Sequence, residues 1–308
     1  SGVPQGSVIG PTLFSLYVND FPSILLYSEA LMYADDTALI FVDDSLRDIE
    51  DKINEELQRV QVWFKRNHLN INTEKTKYMV FHSMKKELDF AGFNLVLDTA
   101  LLQPVASFKY LGVMFDSDMN WKSHIEKTCS KLAYGCHTLL KARECFGALI
   151  LRILYFAFVH SHLRYCIASW GSTYKTHLKC ISRLQKRAVQ IITHSNRTDT
   201  AKPLFQIMCV LPLDSVHVSS VADIVHGIIK RDDPFPLSTF TLPARCTRAA
   251  ANHCFNLPVA RNAYGRRLIE FHGALIWNAI PTDVKEARNF PLAMKHALHA
   301  NFLNNTSA

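Results

Sequence analysis

The sequence predicts an α+β chain, rich in short strands up to about residue 115 and helical from there on. Three observations predict it. Short apolar runs broken by turn residues crowd the first part, and two of them flank adjacent carboxylates, Asp35 and Asp36. Apolar residues at every third or fourth position dominate the remainder. The charge also changes sign where the pattern changes: residues 1–110 carry ten Lys or Arg against fifteen Asp or Glu, and residues 111–308 carry twenty-four against twelve. An acidic part followed by a basic part suits metal binding followed by a grip on nucleic acid, although basic halves also occur without any nucleic acid.

The first element is the loop Ser1-Gly2-Val3-Pro4-Gln5-Gly6-Ser7, in which glycines and a proline bracket one glutamine. Gly2 and Gly6 let the backbone approach a ligand closely, Pro4 stiffens the loop, and Gln5 offers both a donor and an acceptor. Such a loop suits a base-paired substrate. Further on, Leu31, Met32 and Tyr33 end one strand and Thr37 to Val42 form the next, so that Asp35 and Asp36 sit on a rigid turn. Hard divalent ions take oxygen ligands, and paired metals clamp the attacking and leaving oxygens of a phosphoryl transfer. For Tyr33-Ala34-Asp35-Asp36 taken alone, a solvated hairpin turn is the competing reading.

These motifs, together with Gly10-Pro11-Thr12-Leu13-Phe14 and Tyr17-Val18-Asn19-Asp20 between them, resemble the palm of a reverse transcriptase. More narrowly they resemble the polymerase of non-LTR, LINE-type, jockey-like retrotransposons. The resemblance implies that Gly2, Pro4, Gln5, Gly6 and Tyr33 lie against the template and the nascent base pair. It implies that Asp35 and Asp36 are catalytic metal ligands for Mg²⁺ or Mn²⁺, two ions in the complete enzyme.

Later blocks follow in the family's order. Leu69-Asn70-Ile71-Asn72-Thr73-Glu74-Lys75 resembles the block whose lysine protonates the leaving pyrophosphate, a role carried to Lys75; a solvated surface lysine is the alternative. Phe108-Lys109-Tyr110-Leu111-Gly112-Val113 resembles the primer grip, with Tyr110, Leu111 and Gly112 against the growing 3′ end. Between the metal turn and Lys75, an apolar stripe of Leu46, Ile49, Ile53, Leu57, Val60 and Phe64 predicts a supporting helix capped by Ser45 with Asp48.

After the hairpin, Trp121, Ile125, Cys129, Leu132, Cys136 and Leu139 predict one helix, and the run from Phe146 to Leu163 predicts a second, apolar on several faces. A third, over about residues 176–194, buries Leu178, Ile181, Leu184, Ala188, Ile191 and Ile192. Its other side carries Lys175, Lys179, Arg183, Lys186 and Arg187. In the region that resembles the thumb, this basic stripe reads as phosphate contacts to the template–primer duplex, against the alternative of a solvated face. His160 and His162 are assigned no metal. Residues 231–236 read as a turn-rich break, and His253, Cys254 and Cys246 lack the spacing of a zinc knuckle. Tyr264-Gly265-Arg266-Arg267 and Ala274 to Pro281 resemble a C-terminal tail of these polyproteins and identify no chemistry.

The expected organisation is a partial right-hand polymerase palm over 1–115, a helical thumb over 116–200, and a mostly helical C-terminal extension over 201–308. The implied function is RNA-directed DNA polymerisation, with an RNA template, a DNA primer, deoxynucleoside triphosphates and the upstream part of the same polyprotein as partners. Fingers and an earlier aspartate strand precede the Pro-Gln-Gly loop in this family, whereas the sequence begins at Ser1 without a methionine. The expectation is therefore a fragment that does not polymerise alone. A non-catalytic nucleic-acid-binding remnant and a group II intron maturase are the competing readings. No run reaches the roughly 20 apolar residues of a membrane span, and the eight cysteines lack a disulfide spacing and read as reduced, buried thiols. A nuclear or cytoplasmic setting follows from the resemblance only.

Overall fold

Two units divide the chain in the computed structural model: Ser1–Phe108 with Ser117–Met119, and Lys109–Asp116 with Asn120–Ala308. The structure describes residues 4, 6–82, 89–90, 92–230, 239–241 and 254–304, the last four of these as backbone. Gly2, Gln5, the break at 231–236, Cys246 and His253 thus lie outside the described residues.

In the first unit, helix α1 (Gly10–Tyr17) starts with Pro11 in its first turn, where a missing amide hydrogen costs nothing. The strands β1 (Ser28–Tyr33) and β2 (Asp36–Phe41) pair antiparallel from Ser28 opposite Phe41 to Tyr33 opposite Asp36. Alternation sets their faces: Ser28, Ala30 and Met32 turn inward while Glu29, Leu31 and Tyr33 are exposed. The inward face packs on an aromatic cluster in which Phe21, Trp63 and Phe64 meet edge to face at centroid distances of 5.1, 5.7 and 5.3 Å.

Helix α2 (Leu46–Arg66) carries the expected apolar stripe, and the Ser45 hydroxyl accepts from the Asp48 amide at 3.4 Å. Glu56 interrupts the pattern from within. It is fully buried, and one carboxylate oxygen accepts from the amides of Leu26 and Tyr27 at 2.6 and 2.7 Å while the other accepts from the Ser28 hydroxyl. A mid-helix carboxylate therefore satisfies the backbone just ahead of β1, which no neighbouring strand reaches. Four two-residue strands follow, β3 (Lys77–Tyr78), β4 (Val96–Leu97), β5 (Ala100–Leu101) and β6 (Gln103–Pro104). β3 pairs parallel with β6 and β4 antiparallel with β5, over a small core of Leu57, Leu95, Leu97 and Leu102.

The second unit begins within a hairpin of β7 (Ser107–Tyr110) and β8 (Val113–Asp116) and is otherwise helical. Helix α3 (Lys122–Ala142) buries Ile125, Leu132, Cys136 and Leu139; Trp121 sits just ahead of it at φ +64°, buried but outside the helix. The run expected as one helix over 146–163 is α4 (Ala148–Tyr155), a π-helical stretch at Phe156–His160, and α5 (Ser161–Arg164). Gly135 of α3 lies under this stretch, where a Cβ would come within 2.7 Å of the Phe158 carbonyl.

A short α6 (Ile167–Trp170) leads to α7 (Lys175–Ile192), which packs on α3. α7 buries Leu178, Ile181, Ala188, Ile191 and Ile192, with Leu184 half-buried. Its Gln185 is buried and donates to the Tyr155 hydroxyl and the Leu211 carbonyl at 3.0 and 2.9 Å. Helices α8 (Ala201–Ile207), α9 (Leu213–Lys230), α10 (Ile269–Ala279), α11 (Thr282–Lys285) and α12 (Phe290–Asn304) complete it; α8 packs on α7, and α9 to α12 share a core that includes Val225, Trp277 and Phe290.

One expectation needs correction. The seven described cysteines are free thiols, but Cys145, Cys166, Cys180 and Cys209 are exposed. The first, second and fourth lie at helix ends and Cys180 on the basic side of α7. A thiol is small enough to sit there without a large burial penalty. No helix among the described residues is long and apolar enough to cross a membrane.

Candidate nucleotidyl-transfer site

Asp35 and Asp36 sit at the closed end of the β1–β2 hairpin. Tyr33 and Asp36 are the last paired residues, so the turn itself is only Ala34-Asp35. Ala34 takes φ +52°, the left-handed conformation that a two-residue hairpin requires of its first residue when the turn is of the II′ kind. Asp36 is thus strand and Asp35 turn, both exposed and neither ion-paired among the described residues. By the pleat, Tyr33 and Asp36 share the exposed face of the hairpin with Leu31 and Ile40. Two other aspartates of this unit are committed otherwise: Asp43 forms an ion pair with Lys52, which holds the Asp43 carboxyl below its usual range, and Asp20 accepts from the Trp63 indole at 3.4 Å.

Before α1, the Ser7 amide donates to the Pro4 carbonyl at 3.1 Å, closing a four-residue turn. Gly6 stands third in it at φ +87°, where a type II turn needs a positive φ, and both Pro4 and Gly6 are exposed. Lys75 lies in a separate turn. The Asn72 side chain accepts from the Lys75 amide at 3.0 Å, and the ammonium group is exposed. No hydrogen bond or ion pair joins Lys75 to Asp35 or Asp36 among the described residues. No group of three or more His, Cys, Asp or Glu side chains that could cage a metal occurs among them either.

In the second unit, Leu111 and Gly112 form the β7–β8 turn with φ +45° and +83°. Two positive φ values define a I′ turn, and only Gly112 adopts one at no steric cost. Tyr165 holds this turn: its hydroxyl donates to the Leu111 carbonyl, and its ring lies 3.4 Å from where a Gly112 Cβ would stand. Gly112 and Tyr165 also line a cavity of about 360 Å³ with His124, Thr128, Lys131 and His162. The Met114 amide donates to His124 Nδ1 at 3.3 Å, and burial, with the nearby Lys131 charge, brings the imidazole down to about 4. His162 is lowered for the same two reasons. Sequence reasoning missed Tyr165, which stands more than fifty residues from the turn and belongs to no pattern; it placed His124, with Trp121 and Ile125, only as residues that follow the primer-grip block in the family's order.

On α7, Lys175, Lys179 and Arg183 are exposed while Lys186 and Arg187 are half-buried, so the stripe is open at its N-terminal end and partly covered further along.

Residues 1–115 match the family model described as reverse transcriptase (RNA-dependent DNA polymerase). That part of the chain is similar to reverse transcriptases. The chain is also 30% identical over 203 residues to a probable RNA-directed DNA polymerase from transposon BS of Drosophila melanogaster, a match that covers 63% of this chain and 22% of that protein. It is 29% identical over 207 residues to the RNA-directed DNA polymerase from mobile element jockey of Drosophila funebris, again over 63% and 22%. A Pol polyprotein from a type-1 retrotransposable element R1 of Nasonia vitripennis is 26% identical over 188 residues, 56% of this chain and 44% of that protein. The chain is thus related to the jockey-like, non-LTR reverse transcriptases and spans about a fifth of the length of the first of these relatives. No solved structure is matched.

Proposed function

We propose that this chain is the part of a non-LTR retrotransposon RNA-directed DNA polymerase that carries its metal turn, its primer grip and its thumb. The carrying observation is the Asp35–Asp36 turn, presented on an exposed hairpin end with both carboxylates uncommitted, in a segment similar to reverse transcriptases. Residues 1–115 act as part of the palm, 116–200 as the thumb and 201–308 as a C-terminal extension.

Two exposed carboxylates offer the hard oxygen donors that Mg²⁺ or Mn²⁺ takes, and leave room for the waters and substrate phosphates that complete its shell. Bound there, such ions offset the charge that develops as a primer 3′-hydroxyl displaces pyrophosphate from a deoxynucleotide. The chain's own groups position the reactants. The turn at Pro4 and Gly6, with Gln5 between them, lies against the template and nascent pair, beside Tyr33. Lys75 gives its proton to the departing pyrophosphate. Tyr110, Leu111 and Gly112, stiffened by Tyr165, hold the primer end, and Lys175, Lys179, Arg183, Lys186 and Arg187 hold duplex phosphates without reading sequence. The partners are an RNA template, a DNA primer, deoxynucleoside triphosphates and the upstream part of the polyprotein, acting at chromosomal DNA or in the cytoplasm, with no membrane.

A second reading, nucleic-acid binding without catalysis, is favoured by one observation: no third acidic or histidine ligand joins the two carboxylates among the described residues. Primer extension separates the two. Under the first reading, an upstream-extended protein copies RNA and loses that activity in Asp36→Asn; under the second, both proteins bind template–primer and neither extends it.

A further inference from the structure

Outside the hairpin site, the second unit contains a cavity of about 410 Å³ lined by Ser172, Arg261, Arg266, Arg267 and His272. It draws on two distant stretches. One is the loop between α6 and α7; the other is the 3₁₀ turn Gly265–Arg267 that leads into α10. The Asn262 side chain accepts from the Gly265 amide at 2.7 Å and shapes this second stretch.

Three arginines line one cavity, Arg261 and Arg266 exposed and Arg267 half-buried, while no Asp or Glu lines it and none of the three forms an ion pair among the described residues. Arg267 is held in place by aromatic faces, with its guanidinium 4.2 Å from the Tyr174 ring centroid and 5.7 Å from that of Tyr264. Its Nη1 is nevertheless buried without a hydrogen-bond acceptor, and so are Ser172 Oγ and His272 Nε2. His272 stacks on buried His217 at 5.1 Å, and Gly171 makes room for that pair: a Cβ there would stand 2.5 Å from the His217 ring. Burial holds both imidazoles below their ordinary pKa, so they add hydrogen-bonding atoms without adding to the positive charge.

Water filling the cavity would satisfy the orphaned donors. Water would not neutralise three neighbouring cations, whose mutual repulsion an anion relieves. The planar fork of arginine matches phosphate oxygens in particular. What surrounds the cavity favours a strand over a free ion. Tyr174 and Tyr264, the two rings that flank Arg267, are 47% and 40% exposed and offer faces for base stacking. Tyr174 also immediately precedes α7, whose exposed basic side starts at Lys175, three residues after Ser172 of the cavity wall.

We propose that this cavity is a second phosphate site, in which Arg261, Arg266 and Arg267 take a phosphodiester group of a nucleic-acid strand whose bases stack on Tyr174 and Tyr264. The site concerns binding alone, so it stands or falls independently of the polymerase reading.

The test is a fluorescence-anisotropy titration of the full 308-residue chain with labelled single-stranded RNA and DNA, each about 15 nucleotides long, from about 50 to about 200 mM salt. Arg261→Gln with Arg266→Gln, both at exposed positions, is expected to weaken binding about tenfold and to lower the salt slope by about two. Tyr264→Ala weakens binding with the slope unchanged. Inorganic phosphate at constant ionic strength competes with the strand for the wild-type chain and has no effect on the double variant. Should the double variant lose its fold, Arg266→Gln alone carries the same readout with a slope change of about one. Unchanged affinity and slope in the arginine variants overturn the proposal. So does an outcome in which those variants lose inorganic-phosphate binding while strand affinity stays the same, which assigns the cavity to a free phosphate.

Discussion

Tyr33 and Asp36 face each other across the last rung of the β1–β2 hairpin, and the strand pleat puts both side chains on its exposed face. Asp35 follows the left-handed Ala34 in the two-residue turn beyond them. The two carboxylates thus arrive by different routes, one fixed by strand pairing and one by turn geometry. Ala34→Gly relieves the positive φ and stabilises the hairpin by about 0.5–1 kcal/mol. Ala34→Val, which is branched at Cβ, destabilises it by more. Urea midpoints of the two variants check the sign of each effect.

Glu56 anchors the backbone ahead of this hairpin. Replacing it by alanine removes the acceptor of the Leu26 and Tyr27 amides, which belong to exposed residues, and empties the buried position of Glu56, a loss of about 1–3 kcal/mol. Glu56→Gln keeps one acceptor oxygen and loses less. Hydrogen exchange at the amides of Leu26 and Tyr27 reports the effect directly, with protection lost in Glu56→Ala and partly kept in Glu56→Gln.

The β7–β8 turn is held from outside by Tyr165. Tyr165→Phe removes the donor to the Leu111 carbonyl at a cost of about 1 kcal/mol. Gly112→Ala costs a similar amount or more, because φ +83° is unfavourable for any side chain and the Tyr165 ring stands against the new methyl. Thermal denaturation of both variants, compared with the double variant, shows non-additive losses if the ring and the turn act together.

Much of this was legible in the sequence. The Ser45 cap, the α2 and α3 stripes, the hairpin around Asp35 and Asp36 and the turn at Gly112 follow from local chemistry, since each is set by residues a few positions apart. Glu56, Tyr165 and the Arg267 cavity were not legible. Their partners lie 28 to 30, 54 and about 90 residues away respectively, and no periodicity marks a contact made by tertiary packing. The π-helical stretch escaped for a related reason: its apolar pattern reads the same as that of an α-helix, and only Gly135 of the packed neighbour reveals the close approach.

Stability falls in mild acid. His124, His160 and His217 are each lowered from 6.5 to about 4, chiefly by burial. Each is neutral in the fold, whereas the unfolded chain takes up a proton as the pH falls below about 6.5. The stability from keeping them neutral is fully present above that value and is lost progressively down to about pH 4. Urea midpoints should be flat above pH 7 and fall between 6.5 and 4, and His124→Gln should make that fall shallower.

Charge reversal at Lys179 and Arg183 tests the open end of the basic side of α7. Lys179→Glu with Arg183→Glu should weaken binding of a template–primer duplex and reduce its salt slope by about two, uniformly across sequences. Unchanged binding returns that side to a solvated face.

The central claim is that the Asp35–Asp36 turn holds the metals of nucleotide addition, and primer extension on an RNA template tests it most directly. The assay compares an upstream-extended protein with its Asp35→Asn and Asp36→Asn variants in Mg²⁺ and in Mn²⁺, with template–primer binding measured in parallel. The account predicts DNA synthesis by the unaltered protein and a loss of at least about a thousandfold in each variant, worth about 4 kcal/mol of transition-state stabilisation, with binding of template–primer retained. Undiminished synthesis by either variant would contradict it.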